Sequence, residues 1–156
     1  MKNLIIIAII AVIAFISYNY YQPAEVENIV SIETTALLRS SSPDNAAVFI
    51  LEPGDGAIVS SPVTIKFGIS NMQIAPAGTD QENSGHHHIL LDLEELPDMS
   101  LPIPANDNII HFGKGQTETT IELTPGKHSL QLLLGNYLHI PHKQVVISKR
   151  ISITVE

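Results

Sequence analysis

The sequence predicts an all-β domain, an antiparallel β-sandwich set behind an N-terminal hydrophobic helix, and three observations carry that prediction. First, apolar and polar residues alternate in short stretches, as in Val63, Ile65, Phe67 and Ile69 against Thr64, Lys66, Gly68 and Ser70. That is the two-residue period of a strand with one buried face. Second, turn signals separate these stretches: PGDG at Pro53 to Gly56, SSP at Ser60 to Pro62, GKG at Gly113 to Gly115 and TPGK at Thr124 to Lys127. Third, no helical period of any length follows Asp44. Roughly seven short strands in about 110 residues, punctuated in this way, describe an immunoglobulin-like sandwich. The tryptophan and disulfide common in such domains are absent, since the chain has neither Trp nor Cys.

The bulk properties agree with one domain. A chain of 156 residues with 44% hydrophobic residues supports a single core. A net charge of -8 excludes nucleic acid and anionic lipid headgroups as the main partner, because both demand clustered Lys and Arg. Without cysteine there is no disulfide framework, thiolate metal site, thiol nucleophile or lipid-attachment cysteine.

Residues 1–21 are expected to be the hydrophobic helix. Leu4 to Ile16, LIIIAIIAVIAFI, is uninterrupted apolar sequence behind Lys2. No small-x-small cleavage site follows, which favours an uncleaved signal anchor over a cleaved signal peptide. The run is short against the roughly 20 residues of a spanning helix, and Ser17 to Tyr21 would extend it with tyrosines at the interface. In either case the remainder is exported, and a periplasmic domain anchored in the inner membrane is expected. Residues 22–45 lack a sustained period and end in a Ser/Pro/Asp/Asn cluster, so they are expected to be a flexible linker. The sandwich then occupies 46–156, with strands near Val48 to Leu51, Val63 to Ser70, His86 to Leu93, Asn108 to Phe112, Thr117 to Leu123, His128 to Leu134 and Val145 to Val155.

Strand order sorts the seven histidines. In an antiparallel sandwich of this connectivity, the second-to-third, fourth-to-fifth and sixth-to-seventh connections gather at one end. His86, His87 and His88 enter the third strand there, His111 closes the fourth, and His139 and His142 lie in the last connection, GNYLHIPHK. His128 falls at the opposite pole and is expected to be structural. His87 shares parity with Ile89, Leu91 and Leu93 and is expected to face inward; His86 and His88 should line the outer sheet face or loop mouth.

His-x-His on a strand brings two imidazoles to one side, a donor pattern suited to copper or zinc. The expected metal ligands are therefore His86, His88, His111, His139 and His142, with Met72 as a soft thioether that would tilt preference toward copper. Asp80, Glu82 and Asp92 are expected as acceptors orienting the rings. The competing reading of a lone histidine is a polar strand end, and of the whole group a pH-responsive site.

The stretch His86 to Asp92, then HFGKGQTETTIELTPGKHSLQLLLGNYLHIPH from His111 to His142, and ISKRISITV near the end resemble an exported bacterial family, domain of unknown function 4399. The resemblance covers about Val48 to Val155 and implies a small exported domain, often membrane-tethered, without an established activity. Asn136 stands where the resemblance implies aspartate in a GDxxHxPH-like segment, so a charge at that position is missing here. The opening AVFILEPGDGAIVSSPVTIKFGIS also resembles the first two strands of bacterial immunoglobulin-like repeats.

No Ser/His/Asp spacing, phosphate-cradling glycine loop or paired catalytic carboxylates stand out, and a non-enzymatic role is expected. The first functional expectation is a membrane-tethered metal-binding protein that buffers copper or zinc or delivers it to an envelope partner. The alternative is an interaction module whose His-rich loops contact an envelope protein or glycan; a metal-dependent redox enzyme is a third.

Overall fold

The computed structural model describes Ser17 and residues 38–156. Ser17 aside, the expected helix over 1–21 and the expected linker as far as residue 37 lie outside the described residues.

Residues 38–156 form two β-sheets and contain no helix. The smaller sheet has the order β1-β3-β7, built from β1 (Ala47–Glu52), β3 (Val63–Ser70) and β7 (Glu118–Ile121). The larger has the order β2-β9-β8-β5-β4, from β2 (Ile58–Val59), β9 (Ile151–Val155), β8 (Gly126–Gly135), β5 (Ser84–Leu91) and β4 (Gln73–Ile74). Strand β6 (Ile109–His111) pairs with β5 beyond β4. All seven expected strands have a counterpart. β2 and β4 are additions of two residues each, too short to show alternation, and both pair in parallel, with β9 and β5 respectively. The arrangement is therefore not antiparallel throughout.

One apolar core joins the sheets. Val48, Val63, Ile65 and Phe67 from the smaller sheet share it with Ile89, Leu130, Leu132, Leu134, Ile153 and Val155 from the larger. All but Val48 are residues that strand alternation places on a buried face. Ten-residue β8 is the spine: β5 runs along one edge, while the other takes β9 over Gly126 to Leu130 and then residues 146–148. The Leu134 amide donates to the Val146 carbonyl and the Ser148 amide to the Leu132 carbonyl. The final strand is shorter than expected because residues 146–148 and 151–155 pair with different halves of β8.

The larger sheet is also covered on its outer face. Leu90 of β5 and Leu133 of β8, pointing away from the main core, pack with Ile103 and Ile109, and Leu93, Met99 and Ile147 complete this second cluster. Both faces of β5 are thus buried. The crossing segment between β5 and β6 supplies the cover, and it buries the histidines that point outward from that strand.

The folded unit also begins earlier than Ala46. The Lys143 amide donates to the Ser40 carbonyl (2.9 Å) and the Ser42 hydroxyl to the Gln144 carbonyl (2.8 Å), tying the last residues of the expected linker to the sheet end.

Candidate metal centre

Side chains alternate along β5, so His87 turns to the main core while His86 and His88 turn to the outer face. All three are 0% exposed. His87 meets Phe67 edge-on at 4.9 Å, as its inward parity predicts. His86 and His88 occupy the outer face, as expected, and the cover over that face buries them.

Cross-strand register places the remaining members. His88 pairs directly with His111 of β6, and directly opposed residues share a face. Their rings stack at 5.0 Å with 27° between planes. His86 opposes Gly135 of β8, and β8 leads into the loop that carries His139. The His86 ring lies 5.0 Å from that of His111 and 4.8 Å from that of His139, and the last two are 4.7 Å apart. The His88 ring is 4.9 Å from His86 and 6.1 Å from His139. Ring nitrogens of His86, His111 and His139 all fall within 4.8 Å of one another. His111 and His139, half-buried, form the rim above the buried pair.

Two glycines make room. A Cβ on Gly113 would collide with the His111 imidazole, and one on Gly135 would stand 2.9 Å from His88 Cε1 and 3.2 Å from Ile103 Cδ1. Gly135→Ala is therefore expected to push the His88 ring off its place while the sheet survives. Overpacking of this kind costs about 1–3 kcal/mol. A denaturant titration alongside a metal titration checks it, and unchanged binding of metal would show that His88 is not needed.

His139 owes its direction to the loop around Asn136. It adopts φ of 65°, a left-handed conformation uncommon outside glycine. Asn136 Oδ1 accepts from the amides of Leu138 (2.9 Å) and Ile140 (3.0 Å), and the His139 amide donates to the Asn136 carbonyl (2.8 Å). The buried Asn136 amide nitrogen donates to the Leu38 carbonyl and the Ser40 hydroxyl. A carboxylate could not make those donations. An uncharged asparagine at this position has a physical use where the resemblance implied aspartate.

Burial disfavours the charged form of His86, His87, His88 and His111. Burial, reinforced by His139, His111, His87 and His142, pushes His86 down to about 3. Burial, with His86, His111 and His139 added, pushes His88 down to about 3. His87 is pushed down to about 4 by burial alone, and His111 is lowered by burial and then by His139. Each neutral imidazole offers one N–H and one lone pair. Neither ring nitrogen of His86, His87 or His88 has a hydrogen-bond partner, nor does His111 Nε2. Leaving such groups buried and unpaired costs about 1–3 kcal/mol each.

A metal ion fits this donor set. Tetrahedral Zn–N bonds of about 2.0–2.1 Å put ligand nitrogens roughly 3.3 Å apart, against separations of up to 4.8 Å here, so the rings would close in on a bound ion. His86, His111 and His139 would hold the ion, with His88 beside them as a fourth imidazole.

The other expected site residues stand outside this group. His142 is fully buried, but its Nε2 donates to the Ser84 carbonyl (3.1 Å), leaving Nδ1 without a partner, and burial lowers its pKa. It stands outside the group of three. Met72 belongs to the main core, on the side of β5 to which His87 turns, and so is a packing residue on the wrong face to be a soft ligand of this cluster. Parity cannot reveal this, because Met72 lies in a connection. Asp80 and Glu82 are exposed. Asp92 orients none of the cluster: its Oδ2 is 2.7 Å from His128 Nδ1, and its Oδ1 accepts from the Ser129 amide (2.6 Å). With His128 Nε2 2.8 Å from the Thr124 carbonyl, both ring nitrogens face acceptors. Asp92 and then Thr124 accordingly raise the His128 pKa. His128 is thus held by its own strand-end partners, away from the cluster.

Over the described residues, fold and site together define an all-β, two-sheet domain carrying a histidine cluster that could hold a metal ion. The family model described as Domain of unknown function (DUF4399) matches residues 65–156, and the chain belongs to this family. All seven histidines lie within the matched region. No curated protein and no solved structure matches the chain.

Proposed function

We propose that this is an exported metal-binding protein that holds one copper or zinc ion through His86, His88, His111 and His139 and buffers it or delivers it to an envelope partner. The observation that carries the reading is the convergence of His86, His111 and His139, with ring nitrogens of the buried His86 and of His111 left without a hydrogen-bond partner. Protons compete poorly for such nitrogens near neutral pH, so metal binding there need not displace them. With Met72 in the core, the donors are imidazoles alone, which suit both zinc and copper. The two-sheet architecture is read as an immunoglobulin-like sandwich, and the apolar run Leu4 to Ile16 supports export to the periplasm with an inner-membrane tether.

The test is a calorimetric titration of the full chain, stripped of metal and lacking any affinity tag, with copper and with zinc while melting is followed. One ion per chain and a raised melting temperature are expected. At a free ion concentration of 100 Kd the gain is about 2.7 kcal/mol. In a His86→Ala, His88→Ala double variant, affinity should fall roughly a hundredfold or more, beyond the usual effect of losing an outer hydrogen bond to a ligand. Parental affinity in that variant sinks the assignment, and weak, non-saturating binding by the parent moves the search to protein or glycan partners of the loops.

A further inference from the structure

Every expected ligand lies in the matched region, but the loop that presents His139 is held from outside it. We infer that residues 38–42 form a strap that positions the loop Asn136 to Gln144, and that Arg39 and Asn136 are positioning residues for the metal ligand His139. This inference rests on the metal reading of the histidine cluster.

The strap is joined to the loop along its length. Arg39 Nε donates to the Pro141 carbonyl (3.0 Å), and its guanidinium also donates to the carbonyl of His142. The Lys143 amide donates to the Ser40 carbonyl (2.9 Å), and Ser42 bonds Gln144 through both its hydroxyl and its amide. Asn136 closes the arrangement, since its side chain organises the turn carrying His139 with one end and grips Leu38 and Ser40 with the other. On the opposite side, the Ile103 amide donates to the His139 carbonyl (2.8 Å). His139 is thus clamped between the strap and the crossing segment, with a left-handed backbone that a free loop would not hold.

Such clamping matters for a metal site more than for packing. Ligand nitrogens must be placed to within about 0.5 Å for productive geometry, and His139 is the ligand furthest from the rigid strands. Arg39 suits the task because its planar fork reaches successive carbonyls at fixed angles, whereas a lysine is a point charge on a flexible stem.

The experiment compares the full chain with Arg39→Ala and Arg39→Lys. In the metal-free proteins, amide hydrogen exchange is read at Leu138, His139, Ile140 and Lys143. Zinc affinity and the absorption spectrum with cobalt(II) are then measured. Arg39→Ala is expected to exchange at least tenfold faster at those four amides with β5 and β8 unchanged, to bind zinc at least tenfold more weakly, and to shift the cobalt spectrum. Arg39→Lys should recover part of each, and it carries the test if Arg39→Ala does not fold. Parental zinc affinity and an unaltered cobalt spectrum in a folded Arg39→Ala chain overturn the positioning role. A parent that binds neither zinc nor copper overturns the metal reading instead. The strap's hold on the loop is then judged by exchange alone, and unchanged exchange overturns it.

Discussion

On acidification from pH 7, the metal-free chain is expected to lose its fold at a midpoint well above the carboxylate range, roughly between pH 4.5 and 5.5. The histidines set that window. In the unfolded chain they take up protons near the ordinary value of 6.5, whereas burial holds His86 and His88 near 3 and His87 near 4 in the fold. Below 6.5 the unfolded state therefore binds more protons, and stability falls as pH falls. The loss continues until the folded values are reached. Each such group removes about 1.4 kcal/mol per pH unit. Three together remove about 8 kcal/mol within two units, enough to exhaust a stability in the lower half of the typical range of about 5–15 kcal/mol. His128 works in the other sense: its raised pKa contributes stability that is full below 6.5 and is lost as pH rises through the folded value. It therefore cannot cause the acid loss. Far-ultraviolet circular dichroism and urea titrations at stepped pH give the result directly. A chain equally stable at pH 7 and pH 4.5 would mean that these imidazoles reach water in the fold.

Replacing His88 by leucine is expected to stabilise the metal-free protein and weaken its hold on metal. His88 is fully buried on the outer face of β5, close to Leu90 and Leu133, and both of its ring nitrogens lack partners. Each orphaned group costs about 1–3 kcal/mol, and an apolar residue of similar size removes that cost. A net gain of about 1–3 kcal/mol follows for His88→Leu, less any loss of fit against His111. Metal affinity should drop at the same time, because one of the four imidazoles is gone. The opposite result, a destabilised chain with intact metal binding, would make His88 a packing residue and remove it from the donor set. Stability surrendered at a group of convergent side chains is the usual mark of a residue kept for function rather than for the fold.

Much of this protein was legible residue by residue. Alternation in Val63 to Ser70 and in Leu130 to Leu134, together with turns such as TPGK, reports local geometry, because a strand's two faces are written two residues apart. Hence the positions of seven strands, the inward direction of His87, the outward direction of His86 and His88, and the gathering of His111 and His139 beside them were all readable from order and parity. Contacts between distant segments are not written in any period. Only the tertiary structure buries the outer face of β5 under Ile103 and its neighbours, leaving the ring nitrogens of His86 and His88 without partners. It sends Met72 into the core, turns His142 toward Ser84, and pairs Asp92 with His128. It also recruits Arg39 and Ser40 from an expected linker to hold the His139 loop. Burial depends on which segments happen to cover a face, and hydrogen bonds across about a hundred residues of chain depend on the fold being complete; local sequence encodes the strand, but its environment is supplied by everything packed against it.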